Sequence, residues 1–561
     1  MRHRTALAVW VALIALVCIG AALRIYAFAG NPSLWLDEAA LANNIISRTF
    51  TGLLAPLDRQ QVAPLGFLLL AKLAVSLFGT SEYALRLVPL LASLVSLPLF
   101  AWVARRLLTP VAAIFALALF ATATPLLYFA AETKQYSLDV AVVLALFALA
   151  LRSRAREGDP RGSDGPRGRT AALAAVGVLA PWLSQPSVFV LGGVGLYLML
   201  PYIHASSAER RRGARDLAPM FILWALSGAA SIIQALAAIS PADRADLNRF
   251  WEHAFLPLAG GMMASVHWLA GTTHDVFAWL FPPLVATAAI ALFVLGMVAL
   301  ARRRDGTATL LLAPIGLALL ASALHAYPVS YRLLLFTTPS LLLATGAGAQ
   351  WLLGIARSLG RGAPSAHRGA IPAPPRETGV GRLALVASLG VCLFLALMAA
   401  RSAMTMIEIP FYREELRPMV RYLAEHHESG DAIYVYYGAS PAFEYYAARD
   451  GIPRSAYQLG RCERGDWRRY LDEVDALRGR PRVWFVLSHP FAKAGIREDS
   501  LFIDYFSAVG RRLDSSNAIG ARLQLYDLSH SGTPDTRATF VPPASHDSSA
   551  AAIGCVGVVA N

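Results

Sequence analysis

VAPLGFLLLAKLAVSLFG at residues 62–79 and LVPLLASLVSLPLFAWVA at residues 87–104 are apolar runs of the same length, and which of them crosses a bilayer decides the fold. A spanning helix needs about 20 predominantly apolar residues. The first run is interrupted by Pro64, Gly66 and Lys72, whereas the second is uncharged and ends at Arg105-Arg106. Parity settles the choice. Met1-Arg2-His3-Arg4 precedes an apolar run over 6–29 without a small-residue cleavage site, which reads as a retained first span directed outward. Arg105-Arg106 marks the cytoplasmic side, so an odd number of crossings lies between 29 and 105. Residues 87–104 are therefore the span, and 62–79 form an interfacial or re-entrant helix.

The whole chain agrees with a polytopic membrane protein. Of its 561 residues 56% are hydrophobic and 16% charged, against about 25% charged in soluble domains. The net charge of +13 is built from arginine clusters that recur between apolar runs: Arg105-Arg106, Arg152 to Arg169, Arg210 to Arg215, Arg302 to Arg304 and Arg357 to Arg382. Each is a cytoplasmic-loop signal, so the basic excess records topology and nucleic acid is not an expected partner. The next runs, 111–128 outward and 137–151 inward, put Glu132-Thr133-Lys134-Gln135-Tyr136 on the outer face. Continuing by the same length rule gives about 11 spans, the last over 383–400, with the C-terminus outside. The expected fold class is an all-α polytopic membrane protein with a large first outer loop and a small C-terminal α/β domain.

Three domains are expected: 1–401 transmembrane, 402–530 extracytoplasmic α/β, and 531–561 a poorly ordered tail rich in Ser, Pro, Ala and Gly. DAIYVYY at 431–437 and RVWFVLS at 482–488 are strand-like, 523–528 is a further strand candidate, and 414–427 and 466–478 are helix-like. Cys18 and Cys392 fall inside spans. Cys462 and Cys555 lie outside, either paired or as free thiols. No Cys/His cluster has metal-ligand spacing, and His253, His267 and His274 suit structural or solvated roles. No cofactor is assigned, and a divalent metal is left open.

Ionisable groups at span ends are costly to bury and invite a functional reading. Asp37 and Glu38 follow Ser33-Leu34-Trp35-Leu36 at the start of an amphipathic segment. Adjacent acids there either complement a helix dipole, with Asn31 or Ser33 as cap, or present a general base at the membrane surface. In a second cluster Tyr136 and Asp139 lie at i and i+3 on one helical face beside Glu132 and Lys134. Lysine occurs only at positions 72, 134 and 493. Lys134 either snorkels beside Glu132 or serves a site. The third cluster, Tyr331-Arg332 after His325 and Tyr327, either anchors lipid headgroups or holds a phosphate. Tyr434, Tyr436, Tyr437, Tyr445 and Tyr446 of the outer domain are read equally as acceptor contacts or as packing.

LWLDEA (34–39), QVAPLGFLLLAKL (61–73), LFGTSEYALR (77–86), ETKQYSLD (132–139) and YRLLLFTTPSLLL (331–343) together resemble, in order and spacing, the GT-C membrane glycosyltransferases of the protein O-mannosyltransferase and lipid A aminoarabinose transferase group. The resemblance covers most of residues 1–401. It implies a catalytic Asp in the first outer loop, at Asp37 with Glu38 beside it, and interfacial helices in that loop. It also implies that Arg86, Tyr136 and Asp139 lie near the active-site cavity; Gln61, Glu132 and Tyr331 are further candidates to line it. Where the lipid A enzymes have an acid–lysine pair before the proline matched by Pro64, this chain has Val62-Ala63. Phosphate recognition then falls to Lys134, Arg332, Arg86 or Arg59, and the departure counts against a lipid A acceptor.

The function this implies is transfer of a hexosyl or pentosyl unit from a polyprenyl-phosphate donor to an extracytoplasmic glycan, lipid or protein hydroxyl. The expected reaction is inverting, with Asp37 as base, in the cytoplasmic (inner) membrane of an enveloped cell. Its partners are the lipid-linked donor, that acceptor and membrane lipids. The rival readings are a transporter, which expects repeated halves and charges near the bilayer midplane, and a non-catalytic envelope polysaccharide assembly protein.

Overall fold

The computed structural model describes residues 2–154, 166–203, 205–359, 379–408, 413–463, 467–493 and 496–529. The expected tail at 531–561, Cys555 and the arginines within 155–165 and 360–378 lie outside these. The helices are α1 (Arg2–Gly30), α2 (Leu36–Ser47), α3 (Leu65–Phe78), α4 (Glu82–Leu107), α5 (Pro110–Thr122), α6 (Thr124–Tyr128), α7 (Tyr136–Ser153), α8 (Pro166–Leu183), α9 (Ser187–Ile203), α10 (Ser207–Ala237), α11 (Pro241–Phe250), α12 (Gly261–Leu280), α13 (Pro283–Ala301), α14 (Thr307–Ala323), α15 (Thr338–Leu359), α16 (Gly379–Glu408), α17 (Leu416–His426), α18 (Ser440–Arg449), α19 (Trp467–Asp475) and α20 (Glu498–Val509). The strands are β1 (Ala432–Val435), β2 (Tyr457–Leu459), β3 (Val483–Ser488), β4 (Ala492–Lys493), β5 (Ile496–Arg497), β6 (Arg511–Ala518) and β7 (Ala521–Asp527).

Among the described residues seven helical segments are long and apolar enough to cross a membrane, and the bent pair α5–α6 makes an eighth. Helix α3, at 14 residues, falls below that length and agrees with the interfacial reading of 62–79. The expected count of about 11 is reached only by adding the shorter apolar helices α8, α9 and α14 to those eight. Two compact units form. The first comprises Met1–Gly30, Arg86–Gln234 and Ala254–Pro410; the second comprises Asn31–Leu85, Ala235–His253 and Phe411–Asn561.

The first unit is a helical bundle whose outward side chains include Leu7, Trp10, Ile14, Ile222, Leu226 and Leu397, as a lipid environment permits and water does not. Its tightest crossing joins α13 to α15. A Cβ built on Gly296 would lie 1.8 Å from the Ala344 carbonyl oxygen, and one on Gly348 1.8 Å from that of Leu292. Only glycine allows such an approach. A second device sits at the 54° bend between α5 and α6. Pro125 has no N–H to donate to the Ala121 carbonyl four residues back. Arg24, fully buried in α1, supplies the missing donor: its guanidinium reaches Ala121 O at 3.1 Å, Gly20 O at 2.9 Å and Ser93 Oγ at 2.8 Å. The bend turns the chain into a 3-10 turn, Phe129–Ala131, and so places residues 132–139 at the head of α7.

The second unit holds a five-stranded sheet of order β2-β1-β3-β7-β6. Strands β2, β1 and β3 are parallel, and β3–β7 and β7–β6 are antiparallel. The fully buried strands β1 and β3 coincide with the aromatic runs in the sequence, as expected of strands covered on both faces. Helices α2 and α3 pack on each other, and α2 lies against α18, the crossover between β1 and β2. Cys462 is disulfide-bonded, whereas Cys18 and Cys392 are free thiols.

Candidate functional site

In the second unit Trp35 is extended (φ −86°, ψ 171°) and helix α2 starts at Leu36, with Asp37 and Glu38 in its first turn. The exposed N–H groups of that turn stabilise negative charge. The expected cap does not form: no side chain of the local sequence caps the helix. Ser33 is engaged elsewhere, its N–H and hydroxyl donating to the two carboxylate oxygens of Glu415 at 2.9 Å each. The orphan N–H of Leu36 donates instead to Glu414 Oε2 at 3.2 Å. The two acids differ in access, since Asp37 is half-buried and Glu38 only 2% exposed. Asp37 thus keeps partial access, whereas Glu38 is built into the packing.

Arg59 sits in the left-handed region (φ 60°) and is buried. It pairs with Glu444 of α18, and its Nη1 has no hydrogen-bond partner among the described residues. Burial pulls its pKa down, against the opposing pull of Glu444. Gln61 is its neighbour, donating from Nε2 to Arg59 O at 3.3 Å.

In the first unit Glu132, Lys134, Tyr136 and Asp139 are all buried at the head of α7. Lys134 is enclosed there beside Glu132. Helix α7 packs on the 3-10 helix Tyr331–Thr337, so the second and third sequence clusters meet. A row of rings joins them: Tyr136 to Phe129 at 4.9 Å, Phe129 to Trp279 at 6.0 Å and Trp279 to Tyr331 at 6.1 Å. Arg332 is half-buried and Tyr331 exposed. Arg86 is fully enclosed in α4. The loop into Tyr331 contains two left-handed non-glycine residues, His325 (φ 55°) and Tyr331 (φ 23°), a strain that concentrates at working sites.

Sequence reading missed the groups around Asp139. The Ser184 hydroxyl faces the Asp139 carboxyl, and beyond that contact neither Asp139 Oδ1 nor the hydroxyls of Ser184 and Ser187 have a hydrogen-bond partner among the described residues. All three side chains are buried. Ser184-Gln185-Pro186-Ser187 separates two short apolar helices, and that polar break was the available signal. Tyr327 faces Asp139 and Tyr136, and burial together with those neighbours raises its pKa well above the usual phenol value. Its hydroxyl donates to Leu333 O at 2.7 Å. Unpartnered buried polar atoms at a span end are suited to the hydroxyls of a polar ligand.

The tyrosines of the C-terminal α/β part of the second unit are internal. Tyr436 and Tyr437 both donate to the buried Glu498, Tyr434 donates to Glu473 at 2.7 Å, and Tyr445 donates to Thr80 O at 2.7 Å. Of the two readings open for them, packing holds.

No family model matches the chain, and no curated protein matches it. Solved structures do. ArnT from Cupriavidus metallidurans bound to undecaprenyl phosphate matches with a TM-score of 0.52 at 12% identity, over 93% of this chain and 99% of that one. AglB, the oligosaccharyltransferase from Archaeoglobus fulgidus in complex with an inhibitory peptide and a dolichol-phosphate, matches with a TM-score of 0.50 at 10% identity, over 93% and 75%. This chain has the GT-C fold. The GT-C likeness covers 93% of the chain, so it extends over both the helical bundle and the C-terminal α/β region. Within that GT-C frame the sequence-matched residues fall as described: Asp37, Glu38, Arg59 and Gln61 in one unit, and Arg86, Glu132, Lys134, Tyr136, Asp139, Tyr331 and Arg332 in the other.

Proposed function

We propose that the protein is a membrane glycosyltransferase that moves a hexosyl or pentosyl unit from a polyprenyl-phosphate donor to an extracytoplasmic acceptor hydroxyl. The observation that carries this reading is the fold shared, over nearly the whole chain, with a structure bound to undecaprenyl phosphate. Asp37 is the general base. It sits in the first turn of α2, where the helix dipole favours its ionised form, and it is the accessible member of the acid pair. Glu38 orients it from within the packing.

The acceptor oxygen loses its proton to Asp37 as it attacks the anomeric carbon. The bond to the donor phosphate breaks from the opposite face, so the product has inverted configuration and polyprenyl phosphate leaves. Lys134 and Arg332, with Arg86, offset the charge that develops on the phosphate; Arg59, committed to Glu444, is the weakest of the four candidates. Asp139, Ser184 and Ser187 take sugar hydroxyls. The membrane part at 1–401 lies in the cytoplasmic membrane, and the site and the domain at 402–530 face outward.

The test compares cells producing the wild-type chain, the Asp37→Asn chain or neither. With Asp37→Asn present at wild-type level, the lipid-linked sugar donor accumulates and one envelope glycan loses its modification, as in cells without the protein. A full complement of the modified glycan removes Asp37 from the reaction.

A further inference from the structure

The sheet of the second unit has the topology in which open α/β folds hold a ligand. The chain passes from β1 to β2 on one side and then returns across β1 to β3 on the other. The crevice lies where those directions diverge, beyond the C-terminal ends of β1 and β3. Tyr436, Tyr437 and Gly438 leave β1 there, and Ser488 and His489 leave β3. The crevice contains a segment of this same chain. Trp35 and Leu36 belong to one hydrophobic cluster with Tyr436, Tyr437, Leu487 and Phe491. The Trp35 ring lies 6.2 Å from that of His489, with the Arg413 guanidinium 4.4 Å from its centroid.

Polar contacts fix the segment residue by residue. Arg417 Nη2 donates to Asn31 O at 2.7 Å, and Ser33 N–H donates to Glu415 at 2.9 Å. The Leu34 N–H donates to the Tyr446 hydroxyl at 2.7 Å, and the Leu36 N–H to Glu414 Oε2 at 3.2 Å. Glu414 is itself held at the sheet end, accepting from Ser488 Oγ at 3.2 Å and from His489 Nδ1. A buried carboxylate with three donors has one low-energy place, so the first N–H of α2 has one place too. Asp37 is the next residue.

We propose that the outer α/β domain serves as the holder of the catalytic loop, its ligand crevice filled by Trp35-Leu36, and that Glu414, seated by His489, is the positioning residue of Asp37. The proposal rests on the reading of Asp37 as base. It gives the domain a role in the turnover step and not in capture of the donor. A segment held at four backbone positions out of six, Asn31, Ser33, Leu34 and Leu36, cannot swing freely, and small displacements of a base cost rate steeply.

The test uses the full-length protein in lipid nanodiscs, with Glu414→Ala, Glu414→Gln, Tyr446→Phe and Asp37→Asn. Hydrogen–deuterium exchange of peptides covering 31–41 is read alongside kcat and the donor KM. Exchange in β3 and β7 reports that the domain remains folded. Glu414→Ala is expected to raise exchange at 31–41 by about tenfold and to lower kcat by ~10- to 100-fold with the donor KM unchanged. Glu414→Gln keeps an acceptor for the Leu36 N–H and restores most of kcat. Tyr446→Phe removes a single hydroxyl and raises exchange at the Leu34 amide.

Unchanged exchange in both Glu414→Ala and Tyr446→Phe overturns the proposal, as does raised exchange with kcat intact or a loss expressed wholly in the donor KM. If Glu414→Ala does not fold, Tyr446→Phe decides: raised exchange at 31–41 with a lowered kcat supports the proposal, and unchanged exchange or an intact kcat overturns it. Should Asp37→Asn turn over normally, the base assignment fails on its own. The holding role then stands or falls on exchange alone.

Discussion

Replacing Gly348 by alanine strikes the close α13–α15 backbone approach, and the structure sets the size of the effect. The added Cβ would lie 1.8 Å from the Leu292 carbonyl oxygen and within 3.0 Å of the Gly296 nitrogen, whereas a relaxed C···O contact is about 3.3 Å. Both obstructing atoms are backbone, so no rotamer change relieves them. Helices α13 and α15 must separate by roughly the missing 1.5 Å, which forfeits more than half of the dispersion at that crossing, since a gap of about 0.5–1 Å already forfeits a quarter to a half. Overpacking of this kind costs about 1–3 kcal/mol, and the rigid obstruction places Gly348→Ala near ~3 kcal/mol. Gly296→Ala meets the mirror-image obstruction at Ala344 O and should match it. Once one methyl has parted the helices the second meets less, so the double variant falls short of the sum, near ~4 kcal/mol. Gly354 on the same helix has nothing within 4 Å of its Cβ direction, and Gly354→Ala should be neutral or stabilising by up to about 1 kcal/mol. Reversible unfolding in mixed micelles measures all four. If Gly348→Ala lies within ~0.5 kcal/mol of wild type, or no less stable than Gly354→Ala, the reasoning fails.

Replacing Arg24 by Met removes the donor to Ala121 O at the α5–α6 bend and leaves buried acceptors unsatisfied at about 1–3 kcal/mol each. Its detergent melting temperature should fall, and Arg24→Lys should recover part of the loss. Within the C-terminal α/β domain Asp499 bonds to Arg497 at 2.8 Å, which holds its pKa below the ordinary carboxylate value in spite of burial. A depressed folded pKa adds stability that is complete above the unfolded value of ~3.9 and is lost as pH falls through the folded value. Asp499→Asn should therefore flatten the acid limb of the domain's unfolding curve below about pH 4 and leave the neutral limb parallel; an unchanged acid limb counts against the pairing. A cysteine placed at Gln135 should react with an impermeant thiol reagent from the outer face only, and labelling confined to the cytoplasmic side would invert the assigned topology.

The architecture was legible where one physical rule acted alone. The broken run at 62–79 and the uncharged run at 87–104 separated by length and charge, and α3 and α4 follow that division. Strands β1 and β3 announced themselves as continuous aromatic and β-branched runs because both faces are buried. Strand β6, RRLDSSNA, carries no such run because it is an exposed edge, satisfied by pairing with β7 alone. The acid pair was visible as Asp37-Glu38, yet its cap was not. Glu414 and Glu415 lie almost 380 residues further on, and no local pattern encodes a cap borrowed across that distance. Arg24 was hidden for the opposite reason, since apart from Ser93 its partners are main-chain carbonyls that every sequence offers.

The central claim is that the Asp37 carboxylate takes the acceptor proton during transfer from a lipid-linked sugar. Single-turnover transfer by the purified chain in nanodiscs, with donor prebound and acceptor added, measures that step directly. Asp37→Asn should slow it by about 10²- to 10⁴-fold while donor occupancy stays at the wild-type level and Glu38→Gln slows it less. Transfer by Asp37→Asn at a rate near wild type, or a product that retains the donor's anomeric configuration, would contradict the account.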